Sequence, residues 1–380
     1  MLIEIHMLKS FPATCLNRGG DNSPKTEMFG GTLRSRISSQ CLKNAWRTSD
    51  TFREEVGEEN LGIRSRMIPE IICEELSKRN IEEDRLKAVS SILAKMAKKE
   101  KKEEDEDSEE KNKQTMFISP EDIRAFADAA EELIKGKSAE EIKKNVKPTD
   151  FQSIIKDAKS RAITVDIALW GRMVTSDIMR DIQASMQVLH AFSTHKVCRE
   201  SDYFIAADDW ARKLDDGCST ADKGAAMLGE VGFNASCYYI YAVIDTDALR
   251  KNLSYADDPD KLVKAAVSGV LHTMAYDNPK GKQNSFAGHE LPSAVMIDCK
   301  EKKTPTSLAN AFVKAISGEN LVEDSIKQLA AEADYRVKDF GLPIKERLWF
   351  ASSRYEARPE TASRICKNYE EMVTSTISLL

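Results

Sequence analysis

The chain has 380 residues, of which 41% are hydrophobic, and its formal net charge is −6. This length predicts two or three domains or one core with large insertions, and no apolar run reaches the roughly 18 residues of a membrane span, so we expect a cytoplasmic protein without membrane contact. The eight cysteines include no CxxC pair and no zinc-like Cys/His spacing, so we predict no metal and no cofactor.

Hydrophobic periodicity divides the chain into strands, helices and one highly charged run. Residues 98–113 carry 14 charged side chains in 16 positions and cannot bury a face, so they are predicted to be a solvated helix end or a linker. Residues 11–36 are predicted to form a long loop. Alternation predicts strands over 2–10, 163–169, 185–192, 236–245, 293–298 and 348–351. Helical spacing and capping residues predict helices over 39–56, twice within 61–100, after the caps Ser119 and Ser138, from Thr149, over 259–275, 306–317 and 321–339, and from about 360.

Without its insertions, the chain runs strand, helix, strand, strand, helix, strand. This order is the βαββαβ pattern of ferredoxin-like folds and RNA-recognition motifs, so the predicted fold class is α+β with a core of that type. Residues 1–56 and 161–380 are assigned to the core and residues 57–160 to a helical insertion. Residues 195–234 are assigned to a thumb that projects between two core strands.

A local excess of positive charge lies near the N-terminus of this acidic chain. Residues 1–47 hold seven Lys and Arg against three Asp and Glu. Arg34 and Arg36 share a face if residues 33–37 are extended, because side chains alternate along a strand. Lys43 and Arg47 share a face of the following helix, because they are four residues apart.

Neutral residues around these cations suit an anionic ligand. Gly30 and Gly31 permit a close approach of the backbone. Ser38 and Ser39 start a helix without a capping box, so its first amide groups are expected to be available to an anion, and Gln40 adds a neutral hydrogen bond. We interpret the set as a phosphate cradle; the alternative is a serine-capped helix with solvated cations.

The stretch GGDNSPKT, residues 19–26, is not a nucleotide-binding P-loop. That motif needs Gly directly before Lys, and here Pro24 precedes Lys25. The stretch also leads into further loop instead of a helix, so nucleotide hydrolysis is not predicted.

The sequence CLNRGGDNSPKT…FGGTLRSRISSQCLKNAWR, within residues 15–47, resembles the N-terminal signature of the CasC-type backbone subunit of Cascade, the type I-E CRISPR surveillance complex. Further likeness lies in VDIALWGRMVTS, ASMQVLHAFSTHKV, KQNSFA and LANAFVKAI, so the resemblance touches most of the chain. The charged run at 98–113 does not match the family pattern.

The resemblance implies a modified RNA-recognition core with helical fingers and a protruding thumb. Copies of such a subunit stack head-to-tail along a CRISPR guide RNA, beside other Cascade subunits, and each thumb kinks the RNA and flips out one base. The intervening bases pair with target DNA in antiviral defence. A member of this family binds RNA without cutting it, so no catalytic residue is predicted.

The resemblance also implies roles for individual residues. The N-terminal cluster is predicted to bind guide RNA through Arg18, Lys25, Gly30, Gly31, Arg34, Arg36, Ser38, Gln40, Lys43 and Arg47. Gly171, Arg172 and Met173 are predicted to lie against the RNA, with Met173 as an apolar wedge between bases. Lys143, Lys144 and Lys147 are predicted to bind target DNA, and a solvated amphipathic helix is the alternative for them.

The thumb candidate contains three aromatic residues, Tyr203, Phe204 and Trp210. Packing on a neighbouring copy is the favoured role, and stacking on bases is the alternative. His190 and His195 flank the start of the thumb and lack metal-like spacing, so we expect them to be structural.

Two other functions stay open. Backbone subunits of type III CRISPR complexes share this core and cut target RNA with a loop aspartate, and Asp21 and Asp166 are the acids nearest the predicted RNA path. The second alternative is an RNA-binding module that acts alone as a monomer.

Overall fold

The computed structural model describes residues 1–79, 81–96, 115–147, 150, 162–173, 180–207 and 225–380. The protein has an α+β fold with a large sheet, as the order of elements predicted. It divides into two compact units, of which the first comprises Met1–Phe52, Val188–Val243 and Val270–Leu380, and the second Arg53–Gln187 and Ile244–Gly269. The predicted partition into core, insertion and thumb stays a prediction.

The strands range in length from two to 21 residues. Their bounds are β1 Leu2–Thr14, β2 Thr26–Phe29, β3 Thr32–Ile37, β4 Ile63–Ser65, β5 Met116–Ile118, β6 Met186–Val188, β7 Ala191–Ser193, β8 Glu200–Ala207, β9 Ala225–Asp245, β10 Pro292–Lys300, β11 Glu346–Ala351 and β12 Arg364–Ile365.

The helices in the described part of the chain are mostly short, and none is long and apolar enough to cross a bilayer. Their bounds are α1 Ser39–Arg47, α2 Asp50–Val56, α3 Ile68–Ser77, α4 Glu83–Met96, α5 Pro120–Ile134, α6 Ala139–Asn145, α7 Val165–Trp170, α8 Thr246–Asn252, α9 Pro259–Tyr276, α10 Gln283–Phe286, α11 Leu321–Phe340 and α12 Tyr369–Ser378. Short 3₁₀ turns occur at Glu58–Asn60 and Ala309–Phe312.

The sheet of the first unit has the strand order β12-β11-β10-β1-β9-β7-β3-β2, and β8 pairs with the N-terminal part of β9. The central strand β1 is buried on both faces, since Ile3, Ile5 and Met7 fill one face and Leu2 and Leu8 fill the other. The face with Leu2 and Leu8 packs in one hydrophobic cluster with residues of α11 and of the turn Ala309–Phe312. This sheet therefore has no open central face in the first unit.

The region predicted as a long loop contains the hairpin β2–β3, whose turn is Gly30-Gly31. Both glycines have positive φ, 58° and 74°, which non-glycine residues rarely adopt. A Cβ on Gly30 would lie only 1.7 Å from the carbonyl oxygen of Val313, whereas Gly31 faces open space. The turn thus sits directly on the backbone that follows the turn Ala309–Phe312.

Arg34 fastens this hairpin to the rest of the first unit. Its side chain is fully buried. Nη1 donates to the carbonyl oxygens of Ser193 (3.0 Å) and Thr194 (2.8 Å), and Nη2 donates to those of Phe312 (2.8 Å) and Val313 (3.3 Å). The structure therefore gives Arg34 a structural role in place of the predicted RNA contact.

Two predicted elements differ from the structure because tertiary contacts override local pattern. The run VDIAL, predicted as a strand, belongs to helix α7, since every residue of Val165–Leu169 is buried and such a run carries no periodicity. In place of the helix predicted over 306–317 there is only the short turn Ala309–Phe312. The carbonyls of Phe312 and Val313 accept hydrogen bonds from Arg34 instead of from the amides of a continuing helix.

Helix boundaries also moved where side chains cap the backbone. The predicted helix 39–56 breaks into α1 and α2, because the Ser49 hydroxyl accepts the amide of Phe52 and starts a new helix. The last helix begins at Tyr369 instead of residue 360, and the short strand β12 lies before it.

The second unit contains a cluster of helices with its own hydrophobic core. α3, α4, α5 and α6 contribute buried residues such as Ile72, Val89 and Phe126, and β4 pairs with β5 beside them. The side chains of Ser119 and Ser138 each accept a hydrogen bond from the amide of the third helical residue. The carboxylate of that residue accepts the amide of the serine in turn, so both predicted caps are confirmed.

We expect Gly30→Ala to destabilise the first unit far more than Gly31→Ala does. Both substitutions force alanine into positive φ, which costs about 1–2 kcal/mol, but only the Gly30 variant also drives a methyl group into the Val313 carbonyl. Urea unfolding followed by circular dichroism measures both. Equal losses of unfolding free energy would contradict the docking of the turn described here.

Candidate nucleic-acid interface

The loop before β2 folds back against the start of α1. The carbonyl of Asn17 accepts the Lys25 amide (2.8 Å), and its side-chain oxygen accepts the Ser38 amide (2.9 Å). The Lys25 carbonyl in turn accepts the Arg36 amide (2.9 Å). These bonds bring Lys25, Arg36 and the first turn of α1 to one place, as the phosphate-cradle interpretation requires.

The cations of this cluster keep at least part of their side chains in solvent. Arg18 is exposed and makes a long bond of 3.4 Å to Asn22 Oδ1, while Lys25, Arg36, Lys43 and Arg47 are half-buried. Arg36 Nε lies 3.8 Å from Glu27 Oε2, an ion pair that is partly exposed and therefore weak. We call Arg18, Lys25, Arg36, Lys43 and Arg47 the cation cluster.

The first turn of α1 is more fully satisfied than the sequence predicted. Ser38 Oγ accepts the amide of Cys41 (3.3 Å), and the amide of Ser39 donates to His190 Nδ1 (3.0 Å). Gln40 is exposed beside them. Two of the amides expected to be available to an anion are thus already used. His190, which the sequence predicted to be structural within a strand, joins the site from the connection between β6 and β7.

The electrostatics of His190 reflect the nearby positive charge. Its pKa is lowered by partial burial and then by the neighbouring cations Arg36 and Lys25. Burial also lowers the pKa of Lys43. A ligand with negative charge would relieve the repulsion among these groups, so the local field favours a polyanion.

Of the residues predicted to contact RNA in the loop after α7, in the second unit, Arg172 is buried and Met173 is exposed. Gly171 has φ 81° and ends α7. Arg172 is buried, because its Nη1 donates to the carboxylate of Asp122 (2.5 Å), so the structure assigns it to an internal ion pair and not to an RNA contact. Met173 is 86% exposed, and its role as a wedge stays a prediction.

The lysines predicted to bind target DNA are all exposed in the second unit. Lys143 and Lys144 lie in the last turn of α6, which ends at Asn145. Lys147 follows the extended residue Val146, so it does not share a helix face with Lys143 as the spacing predicted. Their role in DNA binding stays a prediction.

The described part of the predicted thumb contains the hairpin of β8 and the N-terminal part of β9, which exposes apolar side chains. Tyr203, Phe204, Ile205, Met227 and Leu228 are each between 38% and 63% exposed. Trp210 lies outside the described residues. An exposed apolar row of this kind is typical of a surface that another molecule covers.

The two candidate catalytic acids have different surroundings. Asp21 is exposed, and its Oδ1 accepts the Ser23 amide (3.1 Å). Asp166 is buried, and its Oδ1 accepts the amides of Gly62 (2.9 Å) and Ile167 (3.0 Å), which is a structural role.

One group of side chains in the described residues has the composition of a metal site: Glu4, His6 and Asp298, all buried in the first unit. Both carboxylates already have cationic partners, since Lys300 Nζ lies 2.9 Å from Glu4 and Arg347 Nη2 lies 2.7 Å from Asp298. These two ion pairs balance the charge of the group, so it does not call for a metal ion.

Comparison with known proteins identifies a family and similar solved structures. No curated protein matches the chain. A solved chain described as "CRISPR RNA-guided surveillance complex, pre-nicking" has a TM-score of 0.80 and 23% identity, with 100% of both chains covered. Another, described as "CRISPR RNA-guided surveillance complex", has a TM-score of 0.61 and 19% identity, with 100% of this chain and 99% of that chain covered. The model of the CT1975-like protein family matches residues 3–375, so the chain belongs to that family.

Proposed function

We propose that this protein is a non-catalytic RNA-binding subunit of a CRISPR surveillance complex. In this proposal it is a CasC-type backbone subunit that polymerises along the guide RNA, kinks it and presents it for pairing with target DNA. The observation that carries the proposal is the cation cluster: hydrogen bonds bring Lys25, Arg36 and the start of α1 together, and α1 carries Lys43 and Arg47. Both similar solved structures are described as RNA-guided surveillance complexes, which supports the same class of function.

The strand order supports an RNA-recognition type of core. β1, β7, β9 and β10 lie side by side in the order β10-β1-β9-β7. In chain order this is fourth, first, third, second, the interleaving that a split βαββαβ pattern produces. Because both faces of β1 are buried, we place the RNA along the hairpin and α1 and not across the middle of the sheet.

Cations suit a subunit that must accept any guide sequence. Lys and Arg side chains bind phosphates without reading bases, and the release of counterions supplies affinity for any single strand. Base pairing between guide and target then reads sequence. In this proposal the cation cluster grips the backbone, Met173 wedges between bases, and Lys143, Lys144 and Lys147 hold target DNA.

The thumb hairpin supports self-association along the RNA. Its cross-strand pair Ile205–Leu228 is exposed, at 59% and 57%, and such apolar pairs lose solvent contact when a second copy packs on them. We therefore assign the hairpin to head-to-tail contact between neighbouring copies.

The alternative functions have weaker support. A type III-like nuclease needs an acid free to act beside RNA, and Asp166 is buried with two amide donors, which leaves only Asp21. A stand-alone RNA module would bind as a monomer and gives no role to the apolar thumb.

Charge reversal in the cation cluster tests RNA binding. We expect Arg36→Glu with Lys43→Glu to weaken binding of two unrelated single-stranded RNAs equally, by at least about tenfold. The slope of log affinity against log salt should fall by about 1.4, because each lost phosphate contact on a single strand contributes about 0.7. Fluorescence anisotropy across a salt series measures both quantities.

The matched control reverses two exposed lysines at the other end of the sheet, Lys338→Glu with Lys345→Glu, near β11. It carries the same change in net charge, so a purely global charge effect would weaken binding equally in both variants. If the two double variants behave alike, the assigned interface is wrong.

Polar substitution in the thumb tests polymerisation separately. We expect Ile205→Asp with Leu228→Asp to abolish long protein–RNA filaments, because charged side chains cannot be buried in the contact between copies. Negative-stain microscopy and sedimentation velocity detect the filaments. Leu291→Asp, at an equally exposed apolar residue outside the thumb, is the control. Filaments of normal length in the thumb variant would exclude this contact.

Nuclease activity is tested on the complex assembled with its guide. We expect labelled RNA complementary to the guide to stay intact in the presence of Mg²⁺, because the proposed subunit binds RNA and has no catalytic residue. Denaturing gels measure cleavage over time. Cleavage that Asp21→Ala removes would replace the scaffold proposal with the nuclease alternative.

A further inference from the structure

His190 lies in the two-residue connection between β6 and β7, and the sheet register brings it to the start of α1. β7 pairs with β3 so that Ala191 lies opposite Ile37, the residue before the cap Ser38. The Ser39 amide donates to His190 Nδ1 at 3.0 Å. A backbone amide can only donate, so Nδ1 carries the lone pair and the proton of the neutral ring is on Nε2.

The surroundings keep this ring neutral. Among the described residues, the charged groups that act on it are Arg36 from β3 and Lys25 from the loop before β2, and both are cations. Protonation would add a third positive charge and would also break the bond from Ser39, so the pKa of His190 is held below its ordinary value, first by burial and then by these cations.

The Nε2–H group has no other role within the described part of the protein. No protein group there pairs with it, and the atom is not among those sealed from solvent. The ring is only half-buried, whereas His195 uses both of its nitrogens on backbone groups. A fixed hydrogen-bond donor, on a ring that two cations act upon, is therefore presented to solvent.

We propose that His190 is an RNA-contacting residue: its Nδ1 holds the start of α1, and its Nε2–H donates a neutral hydrogen bond to a phosphate oxygen of the bound strand. This inference rests on the proposed function and adds to it a contact that carries no charge. Such a contact contributes affinity without releasing a counterion, so its loss leaves the salt dependence unchanged.

Two substitutions separate the two nitrogens. Asparagine at position 190 keeps an acceptor oxygen on Cγ, where Nδ1 is attached, and loses the Nε2 donor. Glutamine loses the Nδ1 acceptor, and its amide nitrogen reaches the place of Nε2. The pair distinguishes positioning of α1 from contact with RNA.

We expect His190→Asn to keep the wild-type melting temperature, to lose about three- to tenfold in affinity for single-stranded RNA and to keep the wild-type salt slope. His190→Gln should recover the affinity at a lower melting temperature. Wild-type affinity in His190→Asn would overturn the proposal. A salt slope lowered by about 0.7 would also overturn it, because the residue would then bind as a cation.

A measurement on the unsubstituted protein covers the case in which a variant fails to fold. Imidazole ¹⁵N spectra should show His190 as the Nε2–H form in the free protein, with that N–H signal shifted by RNA. An Nδ1–H or doubly protonated ring in the complex would overturn the proposal. The proposed function has its own test, the loss of affinity in Arg36→Glu with Lys43→Glu. If that loss occurs but neither the affinity of His190→Asn nor the ¹⁵N spectra agree with expectation, only the inference about His190 fails.

Discussion

The burial of the Arg34 guanidinium is the interaction on which the candidate interface depends. The group has carbonyl partners from two separate segments, at Ser193–Thr194 and at Phe312–Val313. Each hydrogen bond to a charged group contributes about 1.5–3 kcal/mol, and a buried donor left unpaired costs more than the bond contributes. A shift of the hairpin in register would therefore leave the buried guanidinium without its carbonyl partners. This constraint holds Arg36 and the adjoining start of α1 in register.

Four of the arginines predicted to bind RNA differ in how tightly the fold holds them. Arg34 and Arg172 are buried and paired inside their units, one with carbonyls and one with Asp122. Arg18 and Arg36 keep weaker or partly exposed contacts. Because a desolvated cation needs fixed partners and a partly solvated one does not, only the second kind can exchange its contacts for phosphates.

The packing of the first unit also bears on where the proposed RNA strand would lie. An RNA-recognition core usually offers an open sheet face with aromatic side chains to bases. Here the equivalent face is filled by α11 and the turn Ala309–Phe312, and its tyrosines, such as Tyr239, are buried. The partly solvated cations lie instead by the hairpin and α1. The arrangement favours binding through the backbone of the nucleic acid over reading of its bases.

Most of β1, the second half of β9, β10 and the helices α9 and α11 were predictable, because burial on a sheet face or helix stripe leaves a period in nearby residues. The caps Ser119 and Ser138 were also predictable, because the groups they bond to are only three residues away. The cation cluster was predictable in composition, as a local excess of Lys and Arg. The sequence by itself therefore determined the α+β class and the place of the basic surface.

The roles of individual cations were decided only by tertiary structure. Arg34 and Arg36 look equivalent in the sequence, but the carbonyls that bury Arg34 lie up to 279 residues away. His190 meets Ser39 across 151 residues, and Arg172 meets Asp122 across 50. Burial and hydrogen bonding depend on which distant segments the fold brings together, and a local pattern carries no record of that.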